Sequence, residues 1–176
     1  TSKFNLFFHN APQYFIRAHN FVPYFWNEQE GEKVSTQNKK LVVTTKKYSE
    51  AIVSVLASTI FYWWFVLQSD CRHLNMKEII DFPIVLNADD IFLNELQKLS
   101  ISFQTDLQKN SFKKEANYAA TGKVVYDEYY PRLSKPIIDE IDKVLARHYG
   151  FTEEELDFII NYDIKYRMGG ELEGEE

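Results

Sequence analysis

Cysteine is nearly missing from this chain, and Cys71 stands alone. An internal disulfide is therefore excluded, and a reducing compartment suits the composition. Glycine is scarce as well. Gly31, Gly122, Gly150, Gly169, Gly170 and Gly174 are all there is. They form neither a GxGxxG nor a GxxxxGK[ST] pattern, so no Rossmann-type site or phosphate loop can be built from them. Long hydrophobic runs are absent. The most apolar stretch, Ala51 to Leu67, is short and carries Ser54, Ser58 and Thr59, so a membrane span is not expected. No signal-peptide pattern opens the chain, and a cytoplasmic location is the expectation. The first residue is Thr1 rather than Met, which suggests a piece of a longer protein.

Metal-ligand spacing is missing too. Cys71 and His73 make a Cys-x-His pair, but no second pair stands at finger spacing, and a structural zinc needs four ligands. His9, His19 and His148 form no pattern. A nuclease-like Asp-x-Lys triplet, Asp163-Ile164-Lys165, occurs once. Chance alone accounts for it in a chain this rich in both residue types. It is also expected inside a helix, where positions two apart point to different faces.

What the chain has is apolar and aromatic mass. Hydrophobic residues make up 45% and aromatics 16% of the 176 residues. That excludes a disordered chain. A chain of this length buries roughly 70% of its unfolded surface without staples. The net charge of −6 is unevenly spread. From Ile137 to Glu176 there are 12 acidic and 4 basic residues, a net of −8, which leaves +2 for the rest. Thr1 to Lys77 has 9 basic and 5 acidic residues, a net of +4. The mildly basic part is thus the N-terminal half, where a polyanion could be steered.

Three short aromatic segments open the chain as strands: FNLFF, QYFIRA and FVPYFW. Asn27 to Lys40 reads as a long polar loop, and Leu41 to Thr45 as a β-branched strand. Apolar residues then recur at helical spacing. Ile52, Leu56, Ile60, Trp63 and Val66 predict one central helix from about Tyr48 to Gln68. Ser69 to Asn75 reads as a loop and Met76 to Ile80 as a helical turn. Phe82 to Leu86 reads as a strand interrupted by Pro83, which favours an edge position or a non-strand.

A long helix is expected to start near Asn87 to Asp90. Its stripe is Phe92, Leu96, Leu99, Phe103 and Leu107, and it should fade around Ser111 to Asn117. Asp89 and Asp90 would suit its N-terminal dipole. Lys123 to Tyr126 looks strand-like, and YDEYYPR looks like a loop. Pro136 opens a helix striped by Ile137, Ile141, Val144 and Leu145 and closed by Gly150. Thr152 and Glu155 then form a capping box for a last helix ending at Gly169, with Lys165 and Arg167 complementing its C-terminal dipole. The expected fold class is α+β: a small mixed or antiparallel sheet packed on a central aromatic-rich helix, followed by a helical C-terminal part. Residues 1–86 form the sheet-rich region, 87–168 the helical region and 169–176 an acidic flexible tail.

Basic and polar donors gather in the first half. Arg17, His19 and Asn20 share one turn region. Lys39 and Lys40 end the polar loop, Lys46 and Lys47 precede the central helix, and Arg72, His73 and Asn75 follow it. Lysine neutralises phosphates, and arginine and asparagine can contact base edges bidentately.

The run YYPRLSKPIIDEIDKVLARHYGFTEEELDFIINYDIKYRMG, Tyr129 to Gly169, resembles the C-terminal end of large bacterial adenine-specific DNA methyltransferases of restriction–modification systems, often fused to an endonuclease (type IIG-like). APQYFIRAHNFVPYFWNEQEGEKVSTQNKKL and ASTIFYWWFVLQSDCRHLNMKEIIDFPI resemble the start and middle of their TaqI-like target-recognition domain. Together the pieces cover most of the chain. The family's glycine-containing cofactor motif and its Asn/Asp-Pro-Pro-Tyr/Phe motif are not here. The nearest echo, Phe21-Val22-Pro23-Tyr24, lacks the Asn. The resemblance therefore implies that catalysis and S-adenosylmethionine binding belong to an upstream domain of the parent chain, and that this part chooses the DNA sequence. It holds no catalytic, cofactor or metal residues of its own.

The expected partners are double-stranded DNA and that catalytic domain. From side-chain chemistry, Lys39, Lys40, Lys46 and Lys47 are expected on phosphates. Arg17, Asn27, Arg72, His73 and Asn75 are expected near bases, with His19 beside them. The alternative is a protein-interaction module that uses the long helix and the acidic C-terminal helices.

Overall fold

The computed structural model describes residues 3–87 and 91–169. Among these residues, two small antiparallel sheets and seven helices form an α+β fold. The first sheet has the order β2-β1-β5, built from β1 (Phe4–His9), β2 (Ala18–His19) and β5 (Asn38–Val43). β1 is the central strand and is covered on both faces, with Leu6, Phe7 and Phe8 all buried. That explains why FNLFF reads as a continuous apolar run. The second sheet has the order β4-β3-β7-β6, from β3 (Phe25–Asn27), β4 (Gly31–Glu32), β6 (Phe112–Tyr118) and β7 (Gly122–Glu128).

The expected polar loop of Asn27 to Lys40 is a tight hairpin followed by the start of β5. Asn27 makes the turn. Its Oδ1 accepts from the Glu30 N–H at 2.7 Å and its Nδ2 donates to Glu30 Oε2 at 3.1 Å. Gly31 takes the left-handed conformation that the turn requires, at φ 76°.

The expected single central helix is two helices. α1 (Lys46–Ala57) and α2 (Thr59–Gln68) meet at Ser58 with a 67° bend. The cause is a capping set that periodicity cannot show. Ser58 is extended, at ψ 153°, and its Oγ accepts from the Phe61 N–H at 3.0 Å. The Ile60 N–H donates to Asp142 Oδ1, also at 3.0 Å, from a helix far along the chain. Donors orphaned at the start of α2 are thereby satisfied by side chains. Among the described residues no single helix is long and apolar enough to cross a membrane. The bent pair reaches that length only together, and most of its residues lie in the core.

α3 (Met76–Ile80) follows, and then Phe82 to Leu86 runs as irregular chain, the non-strand alternative that Pro83 left open. Phe82 is still buried, edge-on to Phe61 at 5.0 Å and Trp64 at 5.8 Å. α4 (Ile91–Lys109) buries Leu93, Leu96, Phe103 and Leu107 in the core and packs on α1 and the last third of the chain. Ser54 Oγ donates to the Leu96 carbonyl at 2.7 Å, fixing the two helices in register. Asp89 and Asp90, expected at the start of this helix, lie outside the described residues.

After α4 comes the largest correction. Ser111 to Asn117, expected as fading helix, belongs mostly to strand β6, which forms a hairpin with β7. β6 is an edge strand, with every residue exposed except half-buried Ala116. It therefore lacks the period-two alternation that reveals a half-buried strand. The hairpin lies within 87–168, expected to be helical, and β7 pairs with β3 from the first 86 residues. The second sheet thus joins the two regions.

α5 (Lys135–Tyr149) packs Ile138, Ile141 and Leu145 into the common core and closes on left-handed Gly150. α6 (Glu153–Ile160) starts on the expected capping box. Thr152 Oγ1 accepts from the Glu155 N–H at 3.2 Å, and Glu155 Oε2 accepts from the Thr152 N–H at 2.8 Å. Thr152→Ala is expected to cost about 1 kcal/mol, read as a lowered urea midpoint at unchanged slope. The last helix is not continuous. Asp163 adopts φ 53° and separates α6 from a short α7 (Ile164–Arg167). Asp163 of the Asp-x-Lys triplet thus stands at a break, not inside a helix. Of the expected acidic tail only Gly169 is among the described residues.

Candidate functional site: a basic rim around a tyrosine-lined cleft

One end of the first sheet collects three segments that are distant in sequence. The His9-Asn10 corner, where β1 ends, is the hub. The His9 N–H donates to the Arg17 carbonyl, the Asn10 N–H to the Gln37 carbonyl, and the Leu74 N–H to the Asn10 carbonyl, each at 2.9 Å. The Arg17 turn, the loop before Lys39 and Lys40, and the 69–75 loop with Arg72 and His73 are thereby pinned to one corner. His9 Nε2 adds a hydrogen bond to Gln37 Oε1 at 2.8 Å. Its basicity is lowered by burial first and by nearby Arg17 second.

Lys39 and Lys40 are both exposed, on opposite faces of edge strand β5. Lys39 Nζ donates to the Thr36 carbonyl at 2.9 Å. Arg72 and His73 are exposed too. Asp70 holds their loop, its Oδ1 accepting from the Arg72 N–H at 2.9 Å and the His73 N–H at 3.3 Å. Those two N–H donors keep the Asp70 carboxyl below its ordinary range.

The other expected residues stand elsewhere or do different work. Lys46 and Lys47 open α1 at the opposite end of β5, and Lys46 pairs with Glu50 at 3.6 Å. Asn75 caps α3, its N–H donating to Glu78 Oε2 and its Nδ2 to the His73 carbonyl. Asn27 is buried in its turn. His19 is buried as well, 4.6 Å from the Tyr129 ring and 4.9 Å from Phe21. Burial, then Arg17, pushes its pKa down to about 3, so the ring is neutral. Neither Asn27 nor His19 presents its side chain at the surface, and the expectation that they meet DNA directly is corrected to a structural role.

Beside the basic corner lies a cleft of about 880 Å³ between the two sheets. Sequence reasoning missed it. Its walls carry seven tyrosines: Tyr14, Tyr24, Tyr118, Tyr126, Tyr129, Tyr130 and Tyr166. Arg17, Arg132 and Arg167 also line it. Comparison with family models, curated proteins and solved structures finds no match to this chain. The site therefore has to be read from its own chemistry.

Two carboxylates border the cleft, and each is engaged. Asp127 pairs with Lys113 at 3.1 Å, and Glu128 with Lys114 at 2.7 Å. Tyr130 donates to Glu128 at 2.5 Å. Lys113 also sits 3.7 Å above the Tyr24 ring. Among the described residues Arg17 and Arg132 have no ion-pair partner within 4 Å. Burial lowers the Arg17 pKa, and Glu128, its nearest electrostatic counterweight, acts in the opposite direction. The cleft thus combines aromatic faces with three arginines, of which Arg167 is engaged with the Tyr14 carbonyl and Thr59, while its acidic edge is already paired. The one sequence signal for it was the run YDEYYPR, whose tyrosines and Arg132 lie on the same wall.

Proposed function

We propose that this chain is the target-recognition part of a site-specific adenine DNA methyltransferase or combined restriction–modification enzyme. Catalysis and S-adenosylmethionine binding would lie in an upstream domain of the parent. The supporting observation is the His9-Asn10 corner, to which the segments carrying Arg17, Lys39 and Lys40, and Arg72 and His73 are pinned by backbone hydrogen bonds. Three segments from distant parts of the chain bring exposed Lys39, Lys40 and Arg72, exposed His73 and half-buried Arg17 to one end of the first sheet. That is what reading a duplex needs: phosphate contacts set register, and a few side chains on short loops reach base edges. The acidic C-terminal helices would repel the backbone and turn away from it. Extrusion of the target base would be the task of the catalytic domain.

Salt-dependent binding of the chain to duplex DNA tests this reading. The combined variant Lys39→Glu/Lys40→Glu/Arg72→Glu is expected to weaken binding at least tenfold. It should also flatten the salt slope by about 0.9 for each phosphate that is no longer neutralised. Lys98→Glu/Lys109→Glu, an exposed pair on α4, should change little. Equal weakening in the two variants would mean that only overall charge matters and that the corner is not the DNA face.

The alternative of a protein-docking module has its own observation. Ile79, Ile80, Phe82, Ile84 and Leu86 line an apolar groove of about 250 Å³, and Ile80 and Val85 beside it are 72% and 67% exposed. In that reading the corner variants leave the activity untouched, whereas Ile80→Lys abolishes partner binding.

A further inference from the structure

We propose that the tyrosine-lined cleft holds an unstacked nucleotide of a nucleic-acid strand, with the base against tyrosine rings and the phosphate on Arg17 and Arg132. This deepens the DNA-recognition reading and rests on it for the strand's origin. The cleft's own chemistry gives the ligand class.

Its wall composition selects against a peptide. Among the described residues, leucine, isoleucine and methionine are missing from the lining, and Val124 is the single branched aliphatic residue there. Docking grooves for protein side chains are rich in such residues. Tyrosine faces together with arginine are the pattern of single-strand binding, where bases stack on rings and cations follow the backbone. The volume of about 880 Å³ exceeds what one base needs and lies in the range of sites for whole small ligands. Three rings on the walls are well exposed in the empty protein: Tyr14 at 42%, Tyr118 at 53% and Tyr166 at 41%.

Electrostatics agree with an anion. Lys113 and Lys114 cancel Asp127 and Glu128 along the acidic edge. Arg17 is half-buried, with no hydrogen bond to its guanidinium among the described residues. A half-buried guanidinium with no hydrogen-bond acceptor is incompletely satisfied, and an incoming phosphate would supply what it lacks.

Fluorescence anisotropy with a labelled single-stranded hexanucleotide tests the proposal on the whole 176-residue chain. The hexanucleotide is expected to bind at least tenfold tighter than an abasic strand of the same length and charge, because stacking contributes that much per base. Arg17→Gln and Arg132→Gln together should flatten the salt slope by about 1.4, the value for two single-strand phosphates left without their cations. Arg17→Lys should restore most of the affinity. Tyr118→Leu and Tyr166→Leu together should erase the preference over the abasic strand. Unfolding curves confirm that each variant is folded, and an unfolded one is replaced by its conservative partner.

Free thymidine and deoxyadenosine monophosphates form a second arm. Binding of these as tightly as the hexanucleotide would assign the cleft to free nucleotides instead of a strand. Equal binding of abasic and normal strands would overturn the proposal. Duplex binding without single-strand binding removes the cleft proposal and leaves the recognition reading intact. Single-strand binding without duplex binding does the reverse.

Discussion

Arg167→Met is expected to lower stability by about 3 kcal/mol, read at pH 8 as a fall in melting temperature of roughly 6–12 °C. The sequence places Arg167 near a helix C-terminus, where it would only complement a dipole. The fold buries it, at 3% exposure. Its Nε donates to the Tyr14 carbonyl at 3.0 Å, and Nη1 and Nη2 both reach Thr59 Oγ1 at 3.3 Å. The guanidinium lies 4.4 Å from the Phe15 ring centroid and 5.0 Å from that of Tyr62. One side chain thus ties α7, the start of α2 and the segment entering β2.

A helix as short as α7 has no independent stability, so this tether is what keeps it docked. Methionine would keep part of the volume and abandon the bonds. Hydrogen bonds from a charged donor are worth about 1.5–3 kcal/mol each, and the Tyr14 carbonyl would be left without its donor. The destabilisation should exceed that of Lys165→Met, which removes an exposed side chain two residues away. Equal melting temperatures for the two variants would show that the tether contributes nothing. Because Tyr166 and Gly169 border the cleft, the Arg167 variant should also weaken nucleotide binding there.

Local features of this fold are legible in the sequence because their causes are local. The Thr152–Glu155 box needs four residues, and the Gly150 stop needs one. The stripes of α4 and α5 are regular because each helix turns one face to the core. What stayed hidden depends on partners far along the chain. The break at Ser58 is fixed by Asp142, 82 residues beyond the Ile60 amide that it caps. β6 is an edge strand with two wet faces, so its sequence carries no alternation.

His19 and Asn27 were misplaced for a related reason. Their chemistry suits nucleic acid, but burial decides whether a side chain can meet a ligand, and burial is a property of the whole fold. Arg17, Lys39, Lys40, Arg72 and His73 fared differently. Their types were visible from the start, whereas the tying of their segments to the His9-Asn10 corner came only with the structure. The cleft is the extreme case: its walls come from residues 9–38 and 118–169, and no single window of sequence contains it.

Asp142→Asn is expected to remove a stability loss of roughly 4 kcal/mol that the protein suffers between pH 4 and pH 8. Asp142 is fully buried, and burial raises its pKa from 3.8 to about 7. Hydrogen bonds from the Ile60 N–H and the Thr59 side chain act in the opposite direction, and Asp139 and Lys135 add smaller effects of opposite sign. Below pH 3.8 the carboxyl is protonated in both folded and unfolded chains, so it costs nothing. As the pH rises, the unfolded chain releases the proton first. The folded chain holds it until about pH 7, and stability falls through that interval. Above it the penalty is constant. Asparagine offers the same Oδ1 acceptor to Ile60 and cannot ionise, so the variant should match the wild type near pH 4 and melt higher at pH 8. Its net slope of melting temperature against pH should be correspondingly flatter. If the carboxylate were instead held ionised by Arg167, the variant would lose stability at neutral pH and keep none of this advantage. A melting series at pH 4, 6 and 8 on the two proteins separates these outcomes. It also tests whether the bend at Ser58, which the Asp142 cap sustains, is held by a neutral acid or by a charge.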